Sequence, residues 1–160
     1  QGKPVTLLGK GVAVGDSAPE FKVVDANFTP VTLSAYKGQA VLISVVPSLD
    51  TGICSLQTKH FNEKVAQQFP NITMLTISSD LPFAQKRFCK AENIDKVIVL
   101  SDSVWHDFGQ KYGFIIKDMG LLTRAVLILD KNHNVVYKQL VSNLATEPEY
   151  ASVIEKLKAL

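Results

Sequence analysis

The alternation of hydrophobic and polar positions is most informative around one cysteine. Residues 41–46 form an apolar run rich in β-branched side chains, which predicts a buried strand. The strand ends at Pro47, because proline cannot donate a hydrogen bond within a sheet. After four turn-forming residues, apolar side chains recur at the spacing of one helix face. The side chains with this spacing are Phe61, Val65 and Phe69. We therefore predict a helix over residues 51–69, with Cys54 in its first turn.

The rest of the chain alternates short apolar strands with amphipathic helices. Further strands are predicted at residues 72–77, 97–100, 124–130 and 135–141. Further helices are predicted at residues 81–92, 102–113 and 146–157. This order of elements predicts an α/β fold with a mixed central sheet and helices on both faces. Since no linker or repeat interrupts it, we expect residues 1–160 to form a single domain.

The N-terminal region and the helix starts carry additional signals. Residues 5–14 predict an N-terminal β-hairpin with a glycine-containing turn, and residues 21–33 predict a second hairpin. Asp80 is a typical cap residue for the helix that follows it. Thr146 and Glu149 match a capping box at the start of the last helix.

Composition and charge are those of an ordinary soluble globular domain. Hydrophobic residues make up 46% of the 160-residue chain and charged residues 20%. The net charge is +2, from 17 basic and 15 acidic residues without a run of like charge, so neither a nucleic-acid surface nor a membrane surface is indicated. The apolar runs are far shorter than the ~20 residues that a membrane-spanning helix needs.

Two further features of the chain concern its compartment and metals. Gln1 begins a segment without a signal-peptide pattern, so we expect a cytoplasmic protein. A periplasmic protein stays open, because we expect a chain that starts at glutamine to have lost its initiator methionine or a longer leader. The three histidines and two cysteines show no metal-ligand spacing, so a zinc site is not expected.

Cys54 is a candidate nucleophile because of its position at the predicted start of a helix. Backbone N–H groups and the helix dipole can lower a cysteine pKa from about 8.5 into the range ~3.5–7.5, which favours the nucleophilic thiolate. Thr51 lies three residues earlier, and we expect its hydroxyl beside the sulfur. The N–H groups of Ile53 and Cys54 are expected to point at whatever the sulfur attacks. The alternative is that Cys54 is a small buried hydrophobe, the commonest fate of a free cysteine.

Four motifs, spread over nearly the whole chain, carry a resemblance to a known family. They are Pro47-Ser-Leu-Asp-Thr51-Gly-Ile-Cys54, Ser79-Asp-Leu-Pro-Phe-Ala-Gln85 with Arg87-Phe-Cys89, Arg124-Ala125-Val126, and Thr146-Glu-Pro-Glu-Tyr150. With these motifs the chain resembles the bacterial thiol peroxidases, which are atypical two-cysteine peroxiredoxins with a thioredoxin-like fold. The resemblance implies a thiol-dependent peroxidase that reduces hydrogen peroxide and organic hydroperoxides.

The resemblance also implies roles for five residues. Cys54 matches the peroxidatic cysteine, which becomes a sulfenic acid, and Cys89 matches the resolving cysteine, which then forms an intramolecular disulfide with it. Thr51 would orient the peroxide, and Pro47 would shield the site from water. Arg124 would keep the thiolate ionised and stabilise the charge that develops as the O–O bond breaks. Without the resemblance, Arg124 reads as a strand-end arginine that extends to solvent, and Cys89 as core packing.

The two cysteines lie on different predicted helices, which has a physical consequence. Helices packed about 8–10 Å apart rarely bring two Cα atoms within the ~7 Å that a disulfide tolerates. We therefore expect the first turn around Cys54, the segment around Cys89, or both, to unfold after oxidation.

Partners and cofactors follow from the resemblance as well. Thioredoxin is implied as the reductant, and a homodimer with its interface near the active site is implied as the assembly. No flavin, haem or metal cofactor is implied. Trp105 is expected in the core rather than in that interface. The chain departs from the common family pattern at Lys59-His60 and at Thr123, and His60 is either a pH-sensitive neighbour of the site or a solvated histidine.

Two other functions would use the same cysteines. A thiol-disulfide oxidoreductase of the thioredoxin type is disfavoured, because the two cysteines do not form a Cys-x-x-Cys pair. A peroxide-responsive redox sensor or switch stays open as an alternative, since it would share the first oxidation step.

Overall fold

The computed structural model describes residues 4–160, which form a mixed α/β structure. The strands are β1 (Leu7–Leu8), β2 (Lys22–Val24), β3 (Pro30–Thr32), β4 (Val41–Val45), β5 (Thr73–Ser78), β6 (Ile98–Ser101), β7 (Ile115–Ile116), β8 (Ala125–Leu129) and β9 (Val135–Leu140). The α-helices are α1 (Gly52–His60), α2 (Ala66–Gln68), α3 (Pro82–Ala91), α4 (Asp107–Tyr112) and α5 (Tyr150–Lys158), and a 3₁₀ turn covers Leu33–Tyr36. Within residues 4–160, no helix has both the length and the apolar character that crossing a bilayer requires.

Seven of the strands form one mixed sheet in the order β3-β2-β6-β5-β4-β8-β9. The central strands β4, β5 and β6 are parallel, and helices connect them. Strand β8 runs antiparallel to β4, and β9 runs antiparallel to β8. The predicted mixed sheet is therefore confirmed. The antiparallel pair of β2 and β3 also confirms the hairpin predicted at residues 21–33.

Helices cover both faces of this sheet, as predicted. On one face, Phe108 and Tyr112 of α4 are buried in a core with side chains of β2, β4, β5 and β8. On the other face, Phe61 packs with Val153 and Leu157 of α5 against β4 and β8. These two cores fix the central strands and Phe61, the residue that directly follows α1.

The helix that carries Cys54 has a tightly held second half. After α1 it continues through a π-helical segment, Phe61–Val65, into α2. In this segment Asn62 is buried, and its side-chain oxygen accepts hydrogen bonds from three backbone N–H groups of the loop before β6. Their donors are Asp95 (3.1 Å), Lys96 (2.6 Å) and Val97 (3.2 Å). The C-terminal half of the helix is thereby tied to that loop, whereas Cys54 lies in the other half.

The hairpin predicted at residues 5–14 is wrong. Strand β1 instead pairs antiparallel with β7 in a separate two-stranded sheet. The glycine-containing segment does not fold back, because it lies against the end of α4. There Lys10 N donates to the carbonyl of Gln110 over 2.9 Å, and a Cβ on Gly9 would lie only 2.2 Å from that oxygen. Only glycine permits so close a backbone approach.

Two predictions near helix starts are also wrong. Trp105 is not in the core but is 40% exposed, because His106 adopts a left-handed conformation (φ 54°) and α4 begins only after it. The capping box does not form either. Glu149 is itself the N-cap residue of α5 and accepts hydrogen bonds from two backbone N–H groups of the first turn. Thr146 lies before the helix, where its hydroxyl donates to the carbonyl of Asn143.

Candidate active site

One edge of the central sheet collects most of the predicted site residues. Val45 of β4 pairs with Ile77 of β5 in parallel and with Ala125 of β8 in antiparallel register. The C-terminal ends of β4 and β5 and the N-terminal end of β8 therefore meet at one edge. The loop to Cys54 leaves this edge after β4, and Arg124 enters it directly before β8.

Cys54 lies where the hydrophobic pattern predicts it, at the start of a helix. It is the third residue of α1 and is fully buried. Thr51 is the N-cap residue, in an extended conformation with φ −96° and ψ 150°. The backbone N–H of Ser48 donates a hydrogen bond to the Cys54 sulfur over 3.4 Å. The sulfur thus lies at the positive end of the α1 dipole with an N–H donor aimed at it.

Ser48 connects the cysteine to the threonine. The Thr51 hydroxyl donates to the carbonyl of Ser48 over 3.0 Å, and the Thr51 backbone N–H donates to the same oxygen over 3.1 Å. Thr51 is exposed, whereas Pro47, directly before Ser48, is buried. The structure therefore holds the threonine hydroxyl through Ser48. The sequence pattern marks Ser48 only as a turn residue, and its contacts with Cys54, Thr51 and Asp80 become visible only in the folded loop.

Arg124 does not extend to solvent, so that interpretation of the residue is wrong. Its side chain is 1% exposed, among the most buried large side chains of the described residues. One guanidinium nitrogen donates to Gln57 Oε1 over 2.9 Å. Two other nitrogens donate to the carbonyl of Leu144, over 2.7 and 3.3 Å. A buried cation is thereby fixed between helix α1 and the loop before α5.

Gln57 is a site residue that sequence reasoning missed. It is fully buried, and its amide nitrogen donates to the hydroxyl of Ser44 on β4 over 2.8 Å. A signal was present in the sequence, because Gln57 lies three residues after Cys54 and so shares its helix face. A polar side chain on a face that must be buried needs a partner, and the partner here is Arg124.

Cys89 lies in the last turn of α3, half-buried, and burial raises the pKa of its thiol. Both cysteines are free thiols. The neighbouring Phe88, rather than Cys89, packs against the small cluster of Val46, Leu49 and Cys54. The structure thus brings the helix of the second cysteine against the loop of the first, with both segments folded.

Asp80 links the two cysteine-bearing segments through its carboxylate. It lies two residues after the end of β5, at the site edge of the sheet, and it accepts hydrogen bonds from Ser48 and Leu49 in the Cys54 loop. Asp80 does not cap the following helix as predicted, because the N-cap residue of α3 is Leu81 and no side chain caps it.

His60 is packed against the terminal helix rather than solvated. Its ring stacks on Tyr150 with centroids 3.7 Å apart, and the Tyr150 hydroxyl donates to Glu147. Partial burial lowers the pKa of His60, an effect that the Glu147 carboxylate opposes. The neighbouring Lys59 forms an ion pair with Glu92 over 3.3 Å, which links α1 to the end of α3.

The described part of the chain contains no candidate metal centre. Over residues 4–160, no cluster of three histidine, cysteine, aspartate or glutamate side chains is arranged to hold a metal ion. The chemistry that this arrangement supports directly is that of a thiol with nearby hydrogen-bond donors and a buried guanidinium.

Comparisons by family model, by sequence and by structure agree with one another. A family model described as Redoxin matches residues 13–154. The chain is 51% identical to a thiol peroxidase of Oceanobacillus iheyensis over 96% of this chain and 93% of that protein. It is 47% identical to a thiol peroxidase of Bacillus subtilis over 100% of this chain and 95% of that protein. The structure of a peroxiredoxin-like protein from Aquifex aeolicus superposes with a TM-score of 0.92 at 43% identity, over 99% of this chain and 93% of that one.

Proposed function

The chain belongs to the thiol peroxidases of the peroxiredoxin family, and we propose that it reduces hydrogen peroxide and organic hydroperoxides through Cys54. The observation that carries this assignment is the Cys54 sulfur itself, which lies in the first turn of α1 with the Ser48 N–H aimed at it. The match of one family model to residues 13–154 also supports a single domain.

In the first step, the Cys54 thiolate attacks the terminal oxygen of the peroxide. The O–O bond breaks, the sulfur loses two electrons and becomes a sulfenic acid, and the leaving oxygen takes up a proton to depart as water or an alcohol. Thr51 is suited to orient the peroxide, because its hydroxyl oxygen keeps acceptor capacity while it donates to Ser48. The buried Pro47 supports the exclusion of water from the sulfur.

Arg124 is the group that stabilises negative charge in this step. A guanidinium carries five N–H donors, and three of those of Arg124 are engaged with Gln57 and Leu144. Its remaining donors are available to the breaking O–O bond. Because the guanidinium is already held in place and buried, it requires no reorganisation as charge develops.

In the second step, Cys89 attacks the oxidised sulfur. A disulfide forms between Cys54 and Cys89, and the sulfenic oxygen leaves as water. Since the two thiols lie in the first turn of α1 and the last turn of α3, this bond requires local unfolding of one or both segments.

A thioredoxin-type dithiol is the proposed reductant, and it becomes a disulfide while the two cysteines return to thiols. We also propose a homodimer whose interface lies near the active site. The apolar side chains of Leu81 and Phe83, which follow Asp80, are 58% and 69% exposed, and the ring of Phe28 packs on Phe83. Such neighbouring exposed apolar side chains favour burial against a partner.

The deciding experiment measures peroxide consumption in the presence of thioredoxin and thioredoxin reductase. Wild type should turn over, Cys54→Ser should be inactive, and Cys89→Ser should stop after one equivalent of peroxide. Circular dichroism of each variant checks that folding is unchanged, and mass spectrometry identifies the sulfenic acid on Cys54 in Cys89→Ser.

Two results would contradict the proposal. Activity that survives in Cys54→Ser would place the reaction elsewhere, and full thioredoxin-dependent turnover of Cys89→Ser would remove its resolving role.

A further inference from the structure

The carboxylate of Asp80 makes three hydrogen bonds, and two of them reach into the loop that carries the proposed peroxidatic cysteine. One oxygen accepts from the Ser48 hydroxyl over 2.6 Å. The other accepts from the Leu49 backbone N–H over 2.7 Å and from the Ser78 hydroxyl over 2.7 Å. Hydrogen bonds to an ionised carboxylate are among the stronger ones in proteins. Asp80 is therefore the main polar connection between the end of β5 and the Cys54 loop.

Every polar group of Ser48 is engaged, and each engagement bears on the reaction site. Its hydroxyl donates to Asp80, its N–H donates to the Cys54 sulfur, and its carbonyl accepts from the Thr51 hydroxyl. A displacement of Ser48 would therefore move both the donor at the sulfur and the threonine hydroxyl. Asp80 holds the Ser48 hydroxyl and the Leu49 N–H next to these two groups.

Asp80 is itself held in place by residues outside the loop. The Ser78 hydroxyl that donates to it accepts in turn from the Gln85 amide over 3.0 Å, and Gln85 is buried. The Asp80 carbonyl accepts from the buried Ser101 hydroxyl over 2.6 Å. The carboxylate is thus oriented before it meets Ser48, and it is not used to cap its own helix.

We propose that Asp80 is a positioning residue that holds the Cys54 loop in its reactive form during peroxide reduction and that must release Ser48 and Leu49 before the disulfide forms. This inference rests on the proposed roles of Cys54 and Cys89. Asp80 connects the loop of the first cysteine to the segment that begins the helix of the second, so its hydrogen bonds to Ser48 and Leu49 oppose the local unfolding that disulfide formation requires. The same contacts therefore favour the first chemical step and retard the second.

The test separates these two steps by their dependence on peroxide. In rapid mixing with hydrogen peroxide, oxidation of Cys54 is second order, whereas disulfide formation is independent of peroxide concentration. Quenched samples analysed by mass spectrometry follow both. In Asp80→Asn, which keeps the shape but loses the charge, the second-order rate constant should fall about tenfold, the size expected for a lost charge-assisted hydrogen bond. The first-order rate of disulfide formation should rise, and an unchanged rate would contradict the release of Ser48 and Leu49 as part of this step.

Asp50→Asn is the matched control, because it removes an exposed carboxylate from the same loop. Both of its rate constants should stay within about twofold of wild type, since surface charges contribute little. Ser48→Ala removes the hydroxyl partner of Asp80 while keeping the backbone N–H at the sulfur. Its effect on the second-order rate should be non-additive with that of Asp80→Asn, because the two side chains share one hydrogen bond.

The outcomes distinguish this inference from the function on which it rests. If wild type shows no peroxide-dependent oxidation of Cys54, the proposed function itself fails. If wild type reacts but Asp80→Asn slows both steps equally, or neither, the positioning role is overturned. Additive effects of Ser48→Ala and Asp80→Asn would overturn it as well, and Ser48→Ala alone provides the test if Asp80→Asn does not fold.

Discussion

The guanidinium of Arg124 donates to the side-chain oxygen of Gln57 over 2.9 Å, and Gln57 lies one helical turn after Cys54. This contact connects the start of β8 to the buried face of α1. On its other side the guanidinium is held by the carbonyl of Leu144. The cation is therefore fixed by a helix and a loop that are far apart in the sequence, and its orientation depends on both.

Replacement of Arg124 by lysine should lower the rate of Cys54 oxidation although the charge is kept. A lysine ammonium is compact and has no planar fork, so it cannot bond Gln57 and Leu144 while it also donates to the peroxide. We expect the second-order rate constant with hydrogen peroxide to fall about 10²-fold, as for the loss of one preorganised charge-stabilising donor. Stopped-flow kinetics under excess peroxide measures it.

Arg87→Lys is the control for this prediction. Arg87 lies exposed on α3, so the same substitution there should leave the rate constant unchanged. An Arg124→Lys variant that reacts as fast as wild type would mean that a buried positive charge is sufficient and that the fork geometry has no part in the reaction.

Local pattern was enough to predict the position of Cys54, because everything that defines it lies within a few residues. The apolar strand, Pro47 and the helix periodicity are all read from one window of the sequence, and the structure has the cysteine in the first turn of α1. The mixed sheet followed from the order of the elements in the same way. These features depend on periodicity and turn chemistry, which a single sequence expresses directly.

Contacts between distant segments were not predictable in that way. Strand β1 has only two residues and pairs with β7 more than a hundred positions later, so no periodicity marks it. Aspartate is a residue type typical of helix caps, yet the carboxylate of Asp80 accepts a hydrogen bond from Ser48 in another loop. A short polar side chain can accept a hydrogen bond either from the backbone of its own helix or from another loop, and tertiary packing decides which of the two forms.

Formation of the disulfide should unfold the first half of the Cys54 helix and leave the second half intact. Asn62, which follows α1, accepts hydrogen bonds from three backbone N–H groups of the loop before β6. Unwinding that starts at Cys54 should therefore stop at the π-helical segment that contains Asn62. Hydrogen exchange of the oxidised protein should be at least about tenfold faster in α1 than in the reduced protein, with Phe61–Val65 nearly unchanged.

The matched control for the exchange experiment is Cys89→Ser treated with peroxide, which is oxidised at Cys54 but cannot form the disulfide. Its α1 amides should keep most of their protection. Equal protection of the Cys54 and Cys89 segments in the reduced and the disulfide-bonded protein would contradict local unfolding altogether.

Asp102 should make the stability of the protein depend on pH between about 4 and 6. Its carboxylate is buried and accepts hydrogen bonds from the backbone N–H groups of Phe108 and Gly109, and burial raises its pKa from 3.8 to about 6. A group whose pKa is raised by folding contributes its stabilisation at low pH and loses it as pH rises through the folded value. The free energy of unfolding, relative to Asp102→Asn, should therefore fall by about 2 kcal/mol from pH 4 to pH 7.

Urea unfolding at several pH values measures this difference, because the asparagine variant does not titrate. Asp16→Asn, at an exposed position, gives the background from removing one aspartate. A pH-independent difference between wild type and Asp102→Asn would show that the carboxylate is solvated enough to ionise normally.

Cys89 should react slowly with alkylating agents until its segment opens, because burial raises the pKa of its thiol in the folded protein. The thiolate is the reactive form, so a raised pKa leaves less of it near neutral pH and moves the rise of reactivity to higher pH. The test uses Cys54→Ser, in which Cys89 is the remaining cysteine, and follows the rate of iodoacetamide alkylation as a function of pH. The midpoint of this pH dependence should be higher in buffer, where the protein is folded, than in urea, where it is unfolded. Coincident midpoints in the folded and unfolded variant would contradict this protection. If the midpoints differ as expected, Cys89 becomes an effective nucleophile only once α3 has loosened, so that the unfolding that brings the two sulfurs together also activates the attacking one.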